Sequence, residues 1–283
     1  MNIFFKNYKP FIAVPIMLLA VSVIILVGGY FQTGEWFARS IELKGGTLLT
    51  VSIEAPIDID TLESELSSNF GQLSVREIRS FSGYKILVEA DENVDSEAML
   101  NQIKNSYSVT GFSIATIGPA LSEAFWQQMQ LAIIIAFVMM GIIVFAIFKT
   151  GVPSIAVILA ALSDIVITLA LMQVFGIELS LAGMAALLML IGYSVDTDIM
   201  LTTRLLKTGG ELIEKLKNAM KTGLTMTITT LGVLVVIILF NVSPILTEIA
   251  MVLFIGLVID IVNTWLQNSV ILRWYVERKG VNA

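Results

Sequence analysis

Six apolar runs, each long enough to form a helix across a bilayer, constrain this chain more than any other feature. A membrane-spanning helix needs roughly 20 predominantly apolar residues. Composition agrees, since 56% of the 283 residues are hydrophobic and only 14% are charged, against roughly 25% charged in soluble domains. The sequence therefore predicts a polytopic α-helical membrane protein with six transmembrane helices. The runs are Phe11–Phe31, Met129–Phe148, Val152–Phe175, Leu179–Leu201, Gly223–Phe240 and Thr247–Leu272.

Lysine and arginine are distributed unevenly among the loops that join these runs. The short loops at Ile177-Glu178 and Asn241–Leu246 contain neither residue. Cytoplasmic loops carry the excess of basic residues, so we expect both termini to be cytoplasmic. If six helices alternate in direction, the cytoplasmic side receives Lys6, Lys9, Lys149, Arg204, Lys207, Lys215, Lys217, Lys221, Arg273, Arg278 and Lys279.

The same alternation predicts how the chain divides. The first run is longer than the apolar core of about 7–15 residues in a cleaved signal peptide, so we expect it to remain as an uncleaved helix. The predicted parts are a cytoplasmic N-terminus with the first helix (1–31), an external domain (32–126), a five-helix bundle (127–272) and a cytoplasmic tail (273–283).

Residues 32–126 are more polar than the runs around them, which indicates a folded domain outside the membrane. Alternating β-branched residues predict strands, Asp58 or Asp60 and Asp95 are suited to cap helices, and Ser82-Gly83 is suited to a hairpin turn. The resulting βαββαβ order predicts an α+β, ferredoxin-like unit, a common scaffold that names no function. Its predicted elements are strand Ile41–Glu54, helix Thr61–Phe70, strand Leu73–Phe81, strand Tyr84–Glu89, helix Ser96–Asn105 and strand Phe112–Ile117.

Four aspartates lie inside the apolar runs. Asp164 is in the third run, Asp196 and Asp198 are in the fourth, and Asp260 is in the sixth. An ionised Asp near mid-bilayer costs about 2.5–3.5 kcal/mol on insertion scales, so an acid at this depth is a functional site by default. Helical steps of about 100° place Asp196 and Asp198 about 200° apart, so at most one faces a given interface. Arg204, two turns beyond Asp196, offers a counter-charge near the cytoplasmic surface.

A structural role for the acids stays open. A protonated Asp can hydrogen-bond to a neighbouring helix and hold a bundle together. Arg204 can extend to the membrane surface without pairing. The segment Lys207–Thr222, amphipathic over Glu211–Met220, is predicted as a surface helix without chemistry. Helix five offers the acids four hydroxyl partners: Thr225, Thr227, Thr229 and Thr230.

Three short motifs carry a resemblance to a known family. They are Gly192-Tyr193-Ser194-Val195 before acidic and Thr positions, Glu42-Leu43-Lys44-Gly45-Gly46-Thr47 at the first external strand, and Gly118-Pro119 before Ser122-Glu123. Together they resemble the SecF subunits of SecD–SecF protein-export complexes, and the match runs over the whole chain. Six helices with one external domain between the first two is also half of the resistance-nodulation-division transporter plan, to which this family is similar.

The resemblance implies an accessory subunit of the Sec translocation machinery, not an enzyme. Such a subunit works beside a SecD-like partner and a SecY-type channel, and it uses the proton gradient to help draw unfolded preproteins across the cytoplasmic membrane of a prokaryote. Where the family has its key Asp, this sequence has Thr197, so the role falls to Asp196 or Asp198. The family's basic residue before helix five matches Lys221.

Two other functions stay open from the sequence. A half-transporter of the same plan would move lipid or drug, although residues 32–126 form a small domain for a substrate funnel. An intramembrane aspartyl protease would use two acids that share a proton, but the expected Gly-x-Gly-Asp is missing. The chain has no Cys and no His, which excludes disulfides and thiolate metal sites and leaves proton transfer to carboxylates, Lys, Tyr or water. We expect no cofactor, no metal and no nucleic acid, and contact with membrane lipid.

Overall fold

The computed structural model describes residues 8–71, 73–80, 83–241 and 243–279. Lys6 of the predicted basic set and Ser82 of the predicted turn lie outside these residues. The chain divides into two compact units, a helical unit of residues 1–38 and 131–283 and a sheet unit of residues 39–130.

The described helices and strands follow one another without long connections. Within the described residues they are, in chain order, α1 (Ala13–Thr33), α2 (Ile41–Lys44), β1 (Gly46–Ile53), α3 (Ile59–Phe70), β2 (Leu73–Ser80), β3 (Gly83–Ala90), α4 (Ser96–Ser106), β4 (Val109–Ile117), α5 (Pro119–Phe148), α6 (Gly151–Val174), α7 (Leu181–Lys207), α8 (Leu212–Phe240), α9 (Pro244–Val262), a π-helical segment (Asn263–Asn268) and α10 (Ser269–Lys279).

The sheet unit has the predicted ferredoxin-like topology. Its strands lie in the order β2-β3-β1-β4, with every neighbouring pair antiparallel. Strand alternation directs Leu49, Val51 and Val88 into a core that is closed by leucines of α3 and by Met99 of α4. The side chain of Asp95 caps α4 by accepting from the backbone N–H groups of residues 97 and 98. The predicted α+β unit between the first two long helices is confirmed.

Six helices among the described residues are long and apolar enough to cross a membrane, which confirms the predicted number. In the most apolar stretch of each helix, 61% of residues are buried in α6 and 56% in α7, against 17% in α5 and in α8. The helices α6, α7 and α9 therefore form the interior of the helical unit. The helices α5 and α8 present apolar surface outward, as a membrane span does.

Several predicted element boundaries were wrong. Ile41–Lys44 forms a helical turn instead of the start of a strand, and Gly45 and Gly46 reverse the chain into β1 with φ of 85° and 132°. These positive values favour glycine, since a Cβ would clash there. α5 begins at Pro119, well before its apolar run. Glu211–Met220 is not a separate surface helix, because from Leu212 it forms the first turns of α8. The sixth run is interrupted by the π-helical segment.

Candidate functional site

The Asp164 carboxylate lies at the centre of the helical unit and is fully buried. The Ser194 hydroxyl on α7 donates to one of its oxygens at 2.6 Å, and the Asn263 amide donates to the other at 2.7 Å. Both donors are themselves buried. This carboxylate therefore links α6 to α7 and to the π-helical segment.

Asp198 and Asp260 form a second pair of buried carboxylates, 0% and 1% exposed. The hydroxyl oxygen of Thr264 lies 2.9 Å from Oδ1 of Asp198 and 3.1 Å from Oδ1 of Asp260. The Asp164 and Asp260 carboxyl groups are also neighbours. Three acids from three helices thus form one continuous polar site, which we call the acid cluster (Asp164, Asp198 and Asp260).

The π-helical segment places the neutral partners of the acid cluster. Asn263, Thr264 and Asn268 are each 0% exposed. A π turn is wider than an α turn, and π segments are rare and frequently found at functional sites. The segment widens the helix one residue after Val262, so Asn263 reaches Asp164 while Thr264 reaches both Asp198 and Asp260.

No basic side chain forms an ion pair with the acid cluster in the part of the chain that the structure describes. The three acids accept hydrogen bonds from hydroxyl and amide groups, which carry no charge. Oδ2 of Asp198 lies beside the Asn268 carboxamide, and both are buried. Among the described residues, no cation balances the negative charge that the acid cluster carries when it is deprotonated.

The other predicted functional residues lie outside this cluster. Asp196 is exposed, so the structure buries only Asp198 of the two neighbouring acids, as their angular separation on a helix requires. Thr197 donates to the Tyr193 backbone carbonyl at 3.3 Å. Arg204 is part-buried and lines a hollow at the α7–α8 connection, and Lys221 is exposed on α8. Neither cation reaches an acid within ion-pair distance among the described residues.

The predicted partners on helix five were wrong. Thr225, Thr227, Thr229 and Thr230 each donate to a backbone carbonyl three or four residues earlier in α8. Asn263 and Thr264 hydrogen-bond to the acids instead, and the sequence analysis did not identify them. The available signal was a set of polar side chains inside the sixth apolar run: Asn263, Thr264, Gln267, Asn268 and Ser269.

The motif residues divide between the two units. Ser194 binds Asp164, Val195 is buried, and Gly192 and Tyr193 are exposed. In the sheet unit, a Cβ at Gly46 would lie 2.7 Å from the Ala90 carbonyl oxygen. A Cβ at Gly45 would lie 3.5 Å from Cα of Pro119, the residue after Gly118. The glycine motifs of the sheet unit are therefore turn and packing residues.

Comparisons with known proteins agree on one family. Residues 95–278 match the family described as protein export membrane protein SecD/SecF, C-terminal. A protein-export membrane protein SecF of Methanocaldococcus jannaschii is 41% identical over 282 residues, which is 96% of both chains. A SecF of Methanothermobacter thermautotrophicus is 39% identical and covers 96% of this chain and 94% of its own.

A solved structure shares the fold. The crystal structure of SecDF, described as a translocon-associated membrane protein, from Thermus thermophilus superposes with a TM-score of 0.73 at 21% identity. The match covers 96% of this chain but 38% of that one, so the present chain corresponds to less than half of the solved protein.

Proposed function

The chain belongs to the SecF family of protein-export membrane proteins, multi-pass accessory proteins of the cytoplasmic membrane, and we propose that its acid cluster couples the ion gradient to preprotein export. The observation that supports this proposal is a set of three buried carboxylates without a basic partner among the described residues. Protons are the preferred coupling ion, because the hydroxyl and amide partners suit proton transfer along hydrogen bonds.

The available energy is of the right size. One elementary charge that crosses 100 mV is worth about 2.3 kcal/mol, close to the insertion cost of about 2.5–3.5 kcal/mol for one ionised Asp. Proton binding to the acid cluster can therefore change which helix arrangement is favoured. The acids lie on α6, α7 and α9, so this change acts on the helices that form the interior of the helical unit.

The proposed partners are a SecD-like subunit, a SecY-type channel and unfolded preproteins. The solved relative is named SecDF and is larger than this chain. A six-helix unit that matches 38% of that protein would complete the plan by assembly with a SecD-like chain. We propose that the exposed side of α7, which includes Tyr193 and Asp196, faces this partner.

Asp198→Asn tests the coupling proposal. The variant keeps the shape of the side chain but cannot carry a titrating charge. In native membrane vesicles that contain the partner subunits, we expect it to lose about ten-fold or more of the export that depends on the gradient, since a positioned acid–base group contributes roughly 10²–10⁴-fold to the step that it serves. Export with the gradient collapsed by an ionophore gives the baseline.

Asp196→Asn is the matched companion, since it removes an exposed carboxylate two residues away on the same helix. We expect it to keep most gradient-dependent export. Replacing the proton gradient by a sodium gradient in the wild type separates the two coupling ions. Normal export by Asp198→Asn, with partner assembly checked by co-purification, would refute the proposal.

The proposed orientation puts both termini in the cytoplasm and the sheet unit outside. Single cysteines are informative because the natural chain has none. A cysteine at Asn93, which is exposed in the sheet unit, should react with a membrane-impermeant maleimide in intact cells. A cysteine at Gly209 in the α7–α8 connection should react only after the cells are opened. The reverse pattern would contradict this orientation.

A further inference from the structure

The Thr264 hydroxyl occupies an unusual position within the acid cluster. It lies within hydrogen-bond distance of two carboxyl oxygens from different helices, 2.9 Å from Asp198 and 3.1 Å from Asp260. Three other buried threonine hydroxyls behave differently, since Thr168, Thr197 and Thr227 each donate to the backbone carbonyl four residues earlier. The Asp260 backbone carbonyl is four residues before Thr264, but the Thr264 hydroxyl contacts carboxyl oxygens.

Hydrogen bonds between Thr264 and both carboxyl groups require two hydrogens. A threonine hydroxyl has one hydrogen to donate and lone pairs to accept with. It can satisfy Asp198 and Asp260 together only if one of these carboxyl groups is protonated and donates to the threonine oxygen. In that arrangement the site holds one shared proton in addition to the hydroxyl hydrogen.

We propose that Thr264 relays this proton between Asp198 and Asp260. In one arrangement the Asp198 carboxyl group donates to Oγ1 of Thr264, and the Thr264 hydroxyl donates to the Asp260 carboxylate. When the Asp198 proton moves to Thr264, the hydroxyl hydrogen moves to Asp260. Two O–H bonds break and two form, and the net change is one proton moved from α7 to α9. This relay rests on the proposed coupling function.

The surroundings support a two-way transfer. The titratable groups that face Thr264 from the packed helices are Asp198 on α7 and Asp260 on α9, with Asp164 on α6 beside Asp260. No Lys or Arg among the described residues pairs with any of the three, so no fixed cation favours the proton on one acid over the other. The Ser194 and Asn263 side chains both donate to Asp164 and fix the far end of the cluster.

Thr264→Val removes the hydroxyl while it keeps the branched shape, and Thr264→Ser keeps the hydroxyl. We expect Thr264→Val to lose about ten-fold of gradient-dependent export, which is less than the roughly 10²–10⁴-fold of a general acid or base itself, and Thr264→Ser to retain most of it. Thr227→Val is the matched control, because Thr227 is also a buried helical threonine but donates to its own backbone. We expect this control to export like the wild type.

A spectroscopic measurement separates a relay from a packing role. The infrared carbonyl stretch of a protonated carboxyl group depends on its hydrogen bond, so we expect this band to shift with Thr264→Val and to stay with Thr227→Val. If the valine variant does not accumulate, Thr264→Ala removes the same hydroxyl without added bulk. Wild-type export and an unshifted band in a hydroxyl-free variant would refute the relay. Normal export by Asp198→Asn and Asp260→Asn would instead refute the coupling function.

Discussion

Two buried sites in this protein differ in whether a cation pairs with their carboxylates. In the sheet unit, Glu89 on β3 is 5% exposed and forms ion pairs with Arg76 and with Lys44, the latter at 3.3 Å. In the helical unit, the three acids of the acid cluster are at most 1% exposed and accept hydrogen bonds from neutral hydroxyl and amide groups. Glu89 therefore has its charge compensated in place, and the cluster does not.

This difference indicates which carboxylate is structural and which is suited to change its state. A buried charge with well-placed cations is compensated by them, and removing one partner is costly, so the pair favours one geometry. Buried acids without a cation are neutral only while they hold protons, so their charge can follow proton supply. Under the proposed function, the acid cluster and not Glu89 is therefore the carboxylate site that responds to the gradient.

The largest expected effect contrasts Asp260→Asn with Glu89→Gln in export. Asp260→Asn removes one member of the acid cluster, and we expect a loss of about ten-fold or more in gradient-dependent export. Glu89→Gln removes a charge that is already compensated, and we expect export within about two-fold of the wild type, since it takes no part in proton transfer. Vesicle export assays with and without an ionophore measure both. An equal loss in the two variants would break the comparison.

For the stability of the sheet unit, we expect Glu89→Gln to have the larger effect and Asp260→Asn the smaller. Breaking a buried ion pair costs about 3–5 kcal/mol, but the Arg76 and Lys44 side chains are 32% and 39% exposed and regain water. We therefore expect Glu89→Gln to lower the local free energy of unfolding by about 1–3 kcal/mol. Hydrogen exchange of the β3 amides in the full chain measures it. Asp260→Asn should leave these amides unchanged, and destabilisation there would contradict the separation of roles.

Helix packing beside the acids gives a smaller effect. A Cβ at Gly256, one turn before Asp260, would lie 2.4 Å from the Leu190 side chain on α7. Gly256→Ala therefore forces Leu190 to shift, at about 1–3 kcal/mol for overpacking, and we expect gradient-dependent export to fall several-fold. Gly232→Ala is the control, because a Cβ there meets nothing within 4 Å. Equal export by the two variants would mean that the cluster tolerates displacement of α9.

The sequence predicts local patterns well because they depend on near neighbours along the chain. Apolar length predicts the six helices, and alternation with turn residues predicts the ferredoxin-like order. Helical spacing also predicts that only one of Asp196 and Asp198 faces the interior, although not that it is Asp198. The polar partners were missed because they depend on which helices meet and on the π turn after Val262, and an apolar pattern specifies neither. From the sequence alone, Thr225 and Asn263 are equally suitable hydrogen-bond partners for the acids, and helix packing determines which of them contacts an acid.

The smallest expected effect concerns a compensated carboxylate inside the helical unit itself. The Tyr8 hydroxyl donates to Glu277 at 2.5 Å, and Arg273 pairs with the same carboxylate at 2.8 Å while it lies over the Tyr8 ring. Burial, and then the hydrogen bond to Glu277, raise the pKa of Tyr8 to about 12 from its ordinary value of 10.0. Because the neutral form is favoured in the folded state, this contact stabilises the protein fully below pH 10 and less as the pH rises towards 12.

Tyr8→Phe tests whether compensation, and not location, decides the role of a carboxylate. The variant removes the hydrogen bond, and we expect it to be less stable by about 1 kcal/mol or less, since the Glu277 side chain is 40% exposed and solvent weakens the pair. Thermal unfolding of the wild type and the variant should differ constantly from pH 7 to about pH 9, and the difference should shrink as the pH passes 10, where the tyrosine begins to ionise when unfolded. Gradient-dependent export should be unchanged, because this carboxylate already has its cation. A loss of gradient-dependent export in Tyr8→Phe as large as that in Asp260→Asn would show that a compensated carboxylate also takes part in coupling. The difference between Glu89 and the acid cluster would then reflect the unit in which a carboxylate lies, and not whether a cation compensates its charge.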